Sequence, residues 1–459
     1  MSEAGLAQAV EKMEQAGVSP AAISVFSHYY QVLEGEHTGF IPEETISPLT
    51  SVDSLEDAQV SPEQAREALS KTVMIKLNGG LGTSMGMDKA KSLLPVRSGL
   101  TFLDIICRQV LAARQSYGVK LPLIFMDSFR TKADTLAALE KHPGIQVDDL
   151  PLDFLQNQEP KLRADDLTPV SWDKDPSLEW CPPGHGDIYT ALFGSGLLDK
   201  LIDAGYRYAM TSNSDNLGAT PSPEIAGWFA SSGAPYAAEL CTRTVNDRKG
   251  GHLAIRKSDG QLILRDTAQT PPEQMDYFTD EHRHPFFHTN NLWFDLLKLR
   301  DALVERNAVL GLPLIANHKT VDPSDSDSPA VIQMETAMGA AIASFAGATA
   351  ILVPRSRFLP VKTTNELTLV RSDIYELGED FHLRQVNNRN VEVDLDSHFF
   401  KKIADFESRF AFGVPSLREA NSFKVSGAFT FGRNVKVVGD VALSAEGEQM
   451  VPDNTTLSE

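Results

Sequence analysis

The chain has 459 residues, which is long for a single core and predicts two or three domains. Its 42 basic and 62 acidic residues give a net charge of -20, which disfavours nucleic acid or an anionic membrane as a partner. The three cysteines include no Cys-x-x-Cys pair, so neither a disulfide framework nor a cysteine metal site is expected.

The first 65 residues have the pattern of a helical region with a proline-rich connection at 41–49. The acidic, amphipathic N-terminus lacks the apolar core of a secretion signal. The most apolar long stretch, Gly339 to Val353, is shorter than the ~20 residues that a membrane span needs. We therefore expect a cytoplasmic, soluble protein in which this stretch forms a buried helix and then a strand.

A glycine-rich segment follows the first clear strand. Thr72 to Leu77 is an apolar, β-branched run of strand length. Glycines at high density let backbone N–H groups approach a phosphate or a flat base. The segment carries four glycines and then two lysines: Gly79, Gly80, Gly82, Gly86, Lys89 and Lys91. A strand, a glycine turn and a following lysine predict a site for a triphosphate.

Familiar glycine motifs fit this segment poorly. A Walker-A loop needs Gly-Lys-Ser/Thr running into a helix, and that tripeptide does not occur here. The dinucleotide fingerprint needs G-x-G-x-x-G and an acidic residue on the next strand, whereas this chain has three residues between Gly82 and Gly86. A simple chain-reversing turn is the remaining alternative, although the Thr-Ser pair and two lysines exceed what a turn requires.

From residue 72 onward, predicted strands and helices alternate. This pattern is typical of a mainly parallel, Rossmann-like sheet covered by helices, with ligands at the carboxyl ends of its strands. We expect helices at 101–117, 130–142, 188–205 and 223–233, and strands at 122–127, 206–212 and 235–244.

Two polar segments adjoin these elements. In PPGHGDIY, residues 182–189, glycines flank His185 before a helix start, where anions bind, although a lone histidine is usually structural. In AMTSNSDNLG, residues 209–218, Asp215 follows a strand and can hold a Mg²⁺ that also binds phosphate oxygens. An Asx-turn or helix cap is the alternative role for Asp215.

After about residue 400 the pattern changes. A predicted helix at 397–410 precedes short valine-rich runs broken by Gly and Asn. Such runs fit two or three turns of a parallel β-coil, and their spacing fits an antiparallel meander equally well. The predicted domains are an N-terminal helical region (1–65), a catalytic domain (66–400) and a C-terminal helix with β-coil (401–459).

The run LNGGLGTSMG at 77–86, followed by Lys91-Ser92, resembles the signature of nucleotide-sugar pyrophosphorylases, specifically the eukaryotic-type UTP–glucose-1-phosphate uridylyltransferases. The resemblance continues through FLQNQEPKL, PPGHG, NSDNLG and LPVKTTN in the family's order. Two departures stand out. Lys89-Ala90 replaces the family's Gly-Pro, and His288 stands where the family usually has Asn.

The resemblance implies a nucleotidyltransferase that transfers the uridylyl group of UTP to glucose 1-phosphate, with Mg²⁺ as cofactor and pyrophosphate as product. A uridylyltransferase for N-acetylhexosamine 1-phosphate or for several sugar phosphates is the alternative. Two alternatives lie outside this class. A nicotinamide oxidoreductase would need an acidic residue on the next strand, which this chain lacks. A non-catalytic scaffold would bind UTP without releasing pyrophosphate. The resemblance favours the β-coil, and a homo-oligomer formed through the C-terminal region is a further expectation.

The resemblance also implies the roles of individual residues. Gln156 has a donor and an acceptor, which suits the uracil edge. From the residues alone, a structural role fits each sugar-side position as well as a sugar contact does. These roles are a hairpin turn for Gly250 and Gly251, a cap for Asn290, and an acidic residue at a helix start for Glu335. The implied catalytic and metal residues are Lys91, Lys362, His185 and Asp215. The implied nucleotide contacts are Leu77, Gly79, Gly80, Gly82, Gln156, Gly184 and Asn213, and the implied sugar contacts are Gly250, Gly251, Asn290 and Glu335.

Overall fold

The computed structural model of this chain describes residues 2–35, 39–244, 247, 250–387 and 389–458. The α-helices within these residues, in chain order, are α1 (Ser2–Gln15), α2 (Pro20–Glu34), α3 (Pro62–Ser70), α4 (Phe102–Tyr117), α5 (Lys132–Leu139), α6 (Ile188–Gly194), α7 (Leu197–Asp203), α8 (Pro223–Ser232), α9 (Met275–Thr279), α10 (Leu296–Glu305), α11 (Thr364–Arg371), α12 (Ser397–Phe400) and α13 (Ile403–Arg409). None of them combines the length and apolar character that crossing a bilayer requires.

The β-strands of the described residues range from two to eleven residues in length, and most carry at least one buried position. In chain order they are β1 (Ile46–Pro48), β2 (Asp53–Ser54), β3 (Thr72–Leu77), β4 (Pro95–Arg97), β5 (Leu100–Thr101), β6 (Leu123–Asp127), β7 (Asp153–Leu155), β8 (Glu159–Pro160), β9 (Leu162–Arg163), β10 (Trp180–Cys181), β11 (Tyr208–Asn213), β12 (Tyr236–Thr242), β13 (Gly251–Arg256), β14 (Leu262–Asp266), β15 (Phe286–Asp295), β16 (Ile315–Thr320), β17 (Ala330–Glu335), β18 (Thr349–Leu352), β19 (Tyr375–Leu377), β20 (Leu383–Gln385), β21 (Glu392–Leu395), β22 (Ser416–Ser426), β23 (Phe429–Phe431), β24 (Lys436–Ser444), β25 (Gln449–Val451) and β26 (Thr456–Leu457).

An eight-stranded sheet organises the molecule, with the order β2–β18–β12–β15–β11–β3–β6–β7. Strand β15 runs antiparallel to both of its neighbours, and all the other pairs are parallel. The prediction of a mainly parallel sheet covered by helices is thus confirmed. The carboxyl ends of β3, β6, β7 and β11 meet at one edge, and the antiparallel β15 begins at that same edge.

An apolar core lies on each face of this sheet because side chains alternate along each strand. On β3, Met74 belongs to the core that includes α3, α4 and α8, whereas Val73 and Ile75 belong to the core that includes α2, α6, α7 and α10. Each fully buried apolar side chain of this kind contributes roughly 1.5–3 kcal/mol. The two cores therefore hold the strand ends in a fixed arrangement.

Helix α4 begins where the sequence predicts, because Thr101 and Asp104 form a reciprocal capping box. Two predicted helices are each divided. The helix expected at 188–205 breaks into α6 and α7 at Gly196, which has a φ of 74°. The helix expected at 397–410 divides at Lys402, whose backbone is extended.

The apolar stretch at 339–353 forms a short, buried 3₁₀ helix, Met338–Ser344, followed by β18. A buried helical segment and then a strand were predicted, and the difference is the tighter 3₁₀ geometry. The turn is tight where Gly339 contacts a neighbouring element, because a Cβ there would lie 2.7 Å from Cε1 of His288. The 3₁₀ helix therefore packs directly against His288 on β15.

Candidate active site

The glycine segment leaves β3 and turns back toward the sheet edge. Gly82 and Gly86 both occupy the left-handed region, with φ of 65° and 71°, and flank a single 3₁₀ turn. The Lys91 N–H then donates to the Gly80 carbonyl at 3.1 Å. A Cβ at Gly82 would lie 3.0 Å from Sδ of Met87 and 3.4 Å from Cγ of Lys91. Glycine at position 82 therefore leaves room for the stem of Lys91.

Gly80 has no comparable packing reason to be a glycine. A Cβ there would meet no atom within 4 Å, and the residue is exposed. A glycine there leaves its backbone open to close approach by a ligand. The departures from the family pattern lie just beyond, where Lys89 is exposed and Ala90 is fully buried.

Lys91 and Asp215 meet at this edge as an ion pair. The Lys91 Nζ donates to Asp215 Oδ2 at 2.6 Å, and each side chain is 18% exposed. The strands that precede these two residues, β3 and β11, are neighbours in parallel register, with Leu77 opposite Asn213. The other carboxylate oxygen, Asp215 Oδ1, is buried and has no hydrogen-bond partner among the described residues. This oxygen is a free ligand position beside a cation.

The predicted base-binding residues come from three segments and are brought together. Gln156 Nε2 donates to the Gly184 carbonyl at 2.8 Å. A Cβ at Gly79 would lie 2.8 Å from Gln156 Oε1, so glycine is needed for this approach. Gly184 has a φ of 78°, and a Cβ there would lie 2.6 Å from the Thr336 carbonyl oxygen. Gln156 therefore contacts both glycines and joins the three residues in one polar cluster.

The segment that contains His185 pairs with the end of β17. The Gly186 N–H donates to the Thr336 carbonyl at 2.8 Å, and the Thr336 N–H donates to the Pro183 carbonyl at 3.0 Å. These bonds place Glu335 beside the PPGHG run. Burial raises the pKa of Glu335, and the ammonium of Lys319, 3.9 Å away, opposes that shift.

Two asparagines assigned to different substrates contact each other. Asn290 Nδ2 donates to Asn213 Oδ1 at 3.1 Å, and Asn290 has the unusual φ of 61°. The predicted ribose and hexose contacts are thus adjacent. Asn291, one residue further, is fully buried and donates to Glu239 on the neighbouring strand β12.

Gly250 and Gly251 have packing reasons to be glycines. A Cβ at Gly250 would lie 2.5 Å from Cζ of Phe287, and one at Gly251 would lie 2.7 Å from Cδ1 of Leu264. Of the DRKGG run that contains them, 248 and 249 lie outside the described residues. The structure therefore explains these two glycines without a sugar.

Lys362 is exposed and lies within electrostatic range of Asp266, the residue opposite Gly251 in the β13–β14 register. Burial raises the pKa of Asp266, and the ammonium of Lys362 opposes that shift. Lys362 thus lies near Asp266, whereas Lys91 pairs with Asp215.

A buried polar network beneath the glycine segment was not predicted. Asn78 Nδ2 donates to Asp127 Oδ1 and to Thr135 Oγ1, both at 2.8 Å, while Ser128 Oγ donates to the Gly79 carbonyl at 3.0 Å. Burial raises the pKa of Asp127 to about 6. The available signal was an aspartate ending the otherwise apolar strand β6.

Two histidines border the edge as neutral side chains. His185 Nδ1 accepts from the Met338 N–H at 3.0 Å, and His288 Nδ1 accepts from the Asn290 N–H at 3.2 Å. An imidazole that accepts at Nδ1 carries its proton at Nε2. Burial lowers the pKa of each to about 4, and His185 adds to the shift of His288. Each ring therefore offers one N–H donor without a charge.

We expect the NMR resonances of His185 and His288 to stay unchanged between about pH 8 and 5.5, where an ordinary exposed histidine titrates. Each folded-state pKa lies below the unfolded value, so stability falls only as the pH drops from about 6.5 toward 4. Spectra of protein labelled at the histidine ring carbons would test this, with His185→Gln and His288→Asn identifying the peaks. A midpoint near 6.5 for either ring would contradict the expectation.

A known protein family matches most of the chain. The family model described as UTP–glucose-1-phosphate uridylyltransferase matches residues 23–438. An enzyme of that name from Pyrus pyrifolia is 37% identical over 95% of this chain and 92% of its own length, and one named as probable from Schizosaccharomyces pombe is 38% identical over 83% and 74%.

Solved structures agree with these relatives. A variant of UDP-glucose pyrophosphorylase from Leishmania major, in complex with UDP-glucose, superposes with a TM-score of 0.93 at 42% identity, covering 99% of this chain and 98% of that one. A UDP-glucose phosphorylase from Trypanosoma brucei has a TM-score of 0.90 at 40% identity, covering 99% and 100%.

Proposed function

The chain belongs to the UTP–glucose-1-phosphate uridylyltransferase family, and from that premise we propose that it transfers the uridylyl group of UTP to glucose 1-phosphate, releasing pyrophosphate. The observation that carries the proposal at the level of the site is the meeting of Lys91 and Asp215 beside the open Gly80. A cation, a carboxylate and free backbone at one strand edge suit a triphosphate and its metal.

The reaction joins two anions. A phosphate oxygen of the sugar attacks the α-phosphorus of UTP in line, and pyrophosphate leaves. No general base is needed because the attacking oxygen is already ionised, so the protein contributes positioning and positive charge. One lysine about 4 Å from a phosphate oxygen contributes roughly 4 kcal/mol at an effective dielectric of 20. Lys91 on the nucleotide side and Lys362 on the sugar side supply this charge.

Mg²⁺ is the cofactor we propose. Asp215 fits it because Oδ1 is buried and free of partners. The described residues contain no cluster of three or more His, Cys, Asp or Glu that could hold a metal by themselves. Mg²⁺ commonly takes one or two carboxylates and completes its shell with phosphate oxygens and water. When bound, it would neutralise charge on the triphosphate.

The neutral histidines suit the same reaction. His185 would donate its Nε2–H to a phosphate oxygen without adding a charge that titrates near neutral pH. Gln156, Gly79 and Gly184 would enclose the uracil edge, with Leu77, Gly82 and Asn213 completing the nucleotide contacts. Asn290 and Glu335 would bind hexose hydroxyls, and Gly250 and Gly251 would border them through their backbone.

The proposal is tested by measuring pyrophosphate release with UTP and each of three sugar phosphates: glucose, galactose and N-acetylglucosamine 1-phosphate. We expect glucose 1-phosphate to give the highest kcat/KM. Faster turnover of N-acetylglucosamine 1-phosphate would show that this sugar phosphate, and not glucose 1-phosphate, is the preferred substrate. An absence of pyrophosphate with all three would overturn the proposed activity.

We expect Gln156→Ala to narrow the preference for UTP over CTP while leaving the sugar preference unchanged. The glutamine supplies a donor and an acceptor beside Gly79 and Gly184, and leaving such a group unpaired costs about 1–3 kcal/mol. Wild-type UTP should be favoured over ATP and GTP by at least about 10²-fold, because a second ring would meet backbone at glycine positions 79 and 184. Competition assays with paired nucleotides give these ratios.

Gln158→Ala is the matched control for that variant, since Gln158 lies two residues away in the same segment and has a similar intermediate exposure. We expect its UTP-to-CTP ratio to equal that of the wild type. Equal efficiency of wild-type protein with UTP and ATP would remove the base-pocket assignment.

We also propose that the C-terminal strands form a short parallel β-coil through which copies of the chain associate. The parallel pairings of β21–β22–β24–β26 and of β23–β25 support the coil. Exposed apolar side chains of this region, Phe412 and Met450, support a contact surface. Light scattering before and after their replacement by polar residues would test the association.

A further inference from the structure

A buried carboxylate in the middle of an apolar strand has no role in the proposed uridylyl transfer. Glu239 lies on β12 and is fully buried. Arg357 binds both of its oxygens, at 2.7 and 2.8 Å, while Trp293 Nε1 and Asn291 Nδ2 donate to them at 2.9 and 3.0 Å. A carboxylate with a bidentate arginine and two further donors is held in one orientation.

The same arginine connects this carboxylate to the Asp215 segment. Its carbonyl accepts from Asn216 Nδ2 at 3.1 Å, and Asn216 Oδ1 accepts from the Leu359 N–H at 2.8 Å. The Val361 N–H donates to the Asp215 carbonyl at 3.2 Å. Alternate residues of 357–361 are thus bonded to two consecutive residues of the metal-binding segment.

Close contact between the two segments also depends on a glycine. A Cβ at Gly218 would lie 2.4 Å from the Ser356 carbonyl oxygen and 2.7 Å from the carbonyl carbon of Arg357. From β3, Lys76 Nζ donates to Ser212 Oγ at 2.7 Å and to the Ala219 carbonyl at 2.9 Å. The segment 212–219 is therefore bonded to β3 as well as to residues 357–361.

We propose that Glu239 and Arg357 are positioning residues that fix Lys362 and Asp215 relative to each other. Lys362 directly follows Val361, so the bonds at 357–361 set where its ammonium can reach. The inference rests on the proposed function, in which Lys362 and Asp215 act on the two substrates. Misplacement of such groups by about 1 Å can cost 10²-fold in rate.

The test is a double-mutant cycle between Glu239→Gln and Lys362→Ala. Glu239→Gln keeps the shape of the side chain but removes the charge that orients Arg357. If Glu239 acts through Lys362, it should lower kcat by about 10–100-fold in the wild type and by less than about threefold in Lys362→Ala. Rates are expressed per folded protein, with the melting temperature of each variant recorded.

Asp295→Asn is the matched control. It weakens the ion pair of another buried carboxylate of the same sheet, Asp295, with the partly exposed Arg207 at 2.8 Å, at the opposite end of β11. We expect it to lower the melting temperature comparably and to change kcat by less than about twofold. If Glu239→Gln does not fold, Arg357→Lys replaces it in the cycle, because lysine keeps the charge and loses the bidentate contact.

Equal fold losses of kcat in the wild type and in Lys362→Ala would overturn the inference, because a general structural effect lowers kcat by the same factor in both proteins. An unchanged kcat in folded Glu239→Gln would overturn it as well. Failure of the proposed function is distinct from either result, because wild-type protein would then release no pyrophosphate from UTP and glucose 1-phosphate.

Discussion

Lys91→Ala is expected to lower kcat by about 10²–10³-fold, the cost typical of losing one donor to the transition state. The lysine emerges from the glycine segment beside Gly80 and reaches the strand edge where the triphosphate would lie. Its removal also leaves Asp215 without its cationic partner. Steady-state pyrophosphate release measures the effect, and circular dichroism establishes that the variant is folded.

Lys89→Ala is the control for this variant. Lys89 belongs to the same segment and is exposed, and we expect its removal to change kcat by less than about twofold, as for most surface residues. Near-normal turnover of folded Lys91→Ala would exclude Lys91 from the site. A large loss with Lys89→Ala would show that the segment depends on its overall charge rather than on one placed ammonium.

The sequence predicts which residues lie together at the strand edge, because the carboxyl ends of neighbouring parallel strands meet there. Once β3 and β11 are adjacent, the residues after Leu77 and after Asn213 must lie together, and so must Gln156 after β7. Glycines also carry information from the sequence alone, since a Cβ at position 184 would meet the Thr336 backbone and one at position 79 would displace the Gln156 amide. Local pattern and topology therefore suffice for this part of the site.

Contacts between distant segments are what the sequence leaves out. Glu239 is conspicuous as a lone charge in the strand YAAELCT, yet nothing local indicates that its partner is Arg357. The same holds for the ion pair of Lys91 with Asp215. Packing can also replace a functional explanation, as it does for the glycines at 250 and 251. The partners in such pairs become known only from the folded structure.

Asp215→Asn is expected to remove most Mg²⁺-dependent activity, lowering kcat by about 10²–10³-fold at the metal concentration that saturates the wild type. A neutral amide is a much weaker ligand for a hard cation. The substitution leaves the side-chain volume almost unchanged, so the segment should stay in place through Asn216. A Mg²⁺ titration of the initial rate measures the loss.

A second measurement separates this role from a purely structural one. In the wild type, Asp215 pairs with Lys91, so removing its charge frees that ammonium for a triphosphate. We therefore expect folded Asp215→Asn to bind UTP in the absence of metal at least as tightly as the wild type, by calorimetry, although it turns over slowly. The control is Asp88→Asn at an exposed aspartate of the glycine segment, for which Mg²⁺ dependence should be unchanged. Should Asp215→Asn reach the wild-type rate at the wild-type Mg²⁺ concentration, the carboxylate serves only to hold Lys91, and the metal must bind through phosphate oxygens alone.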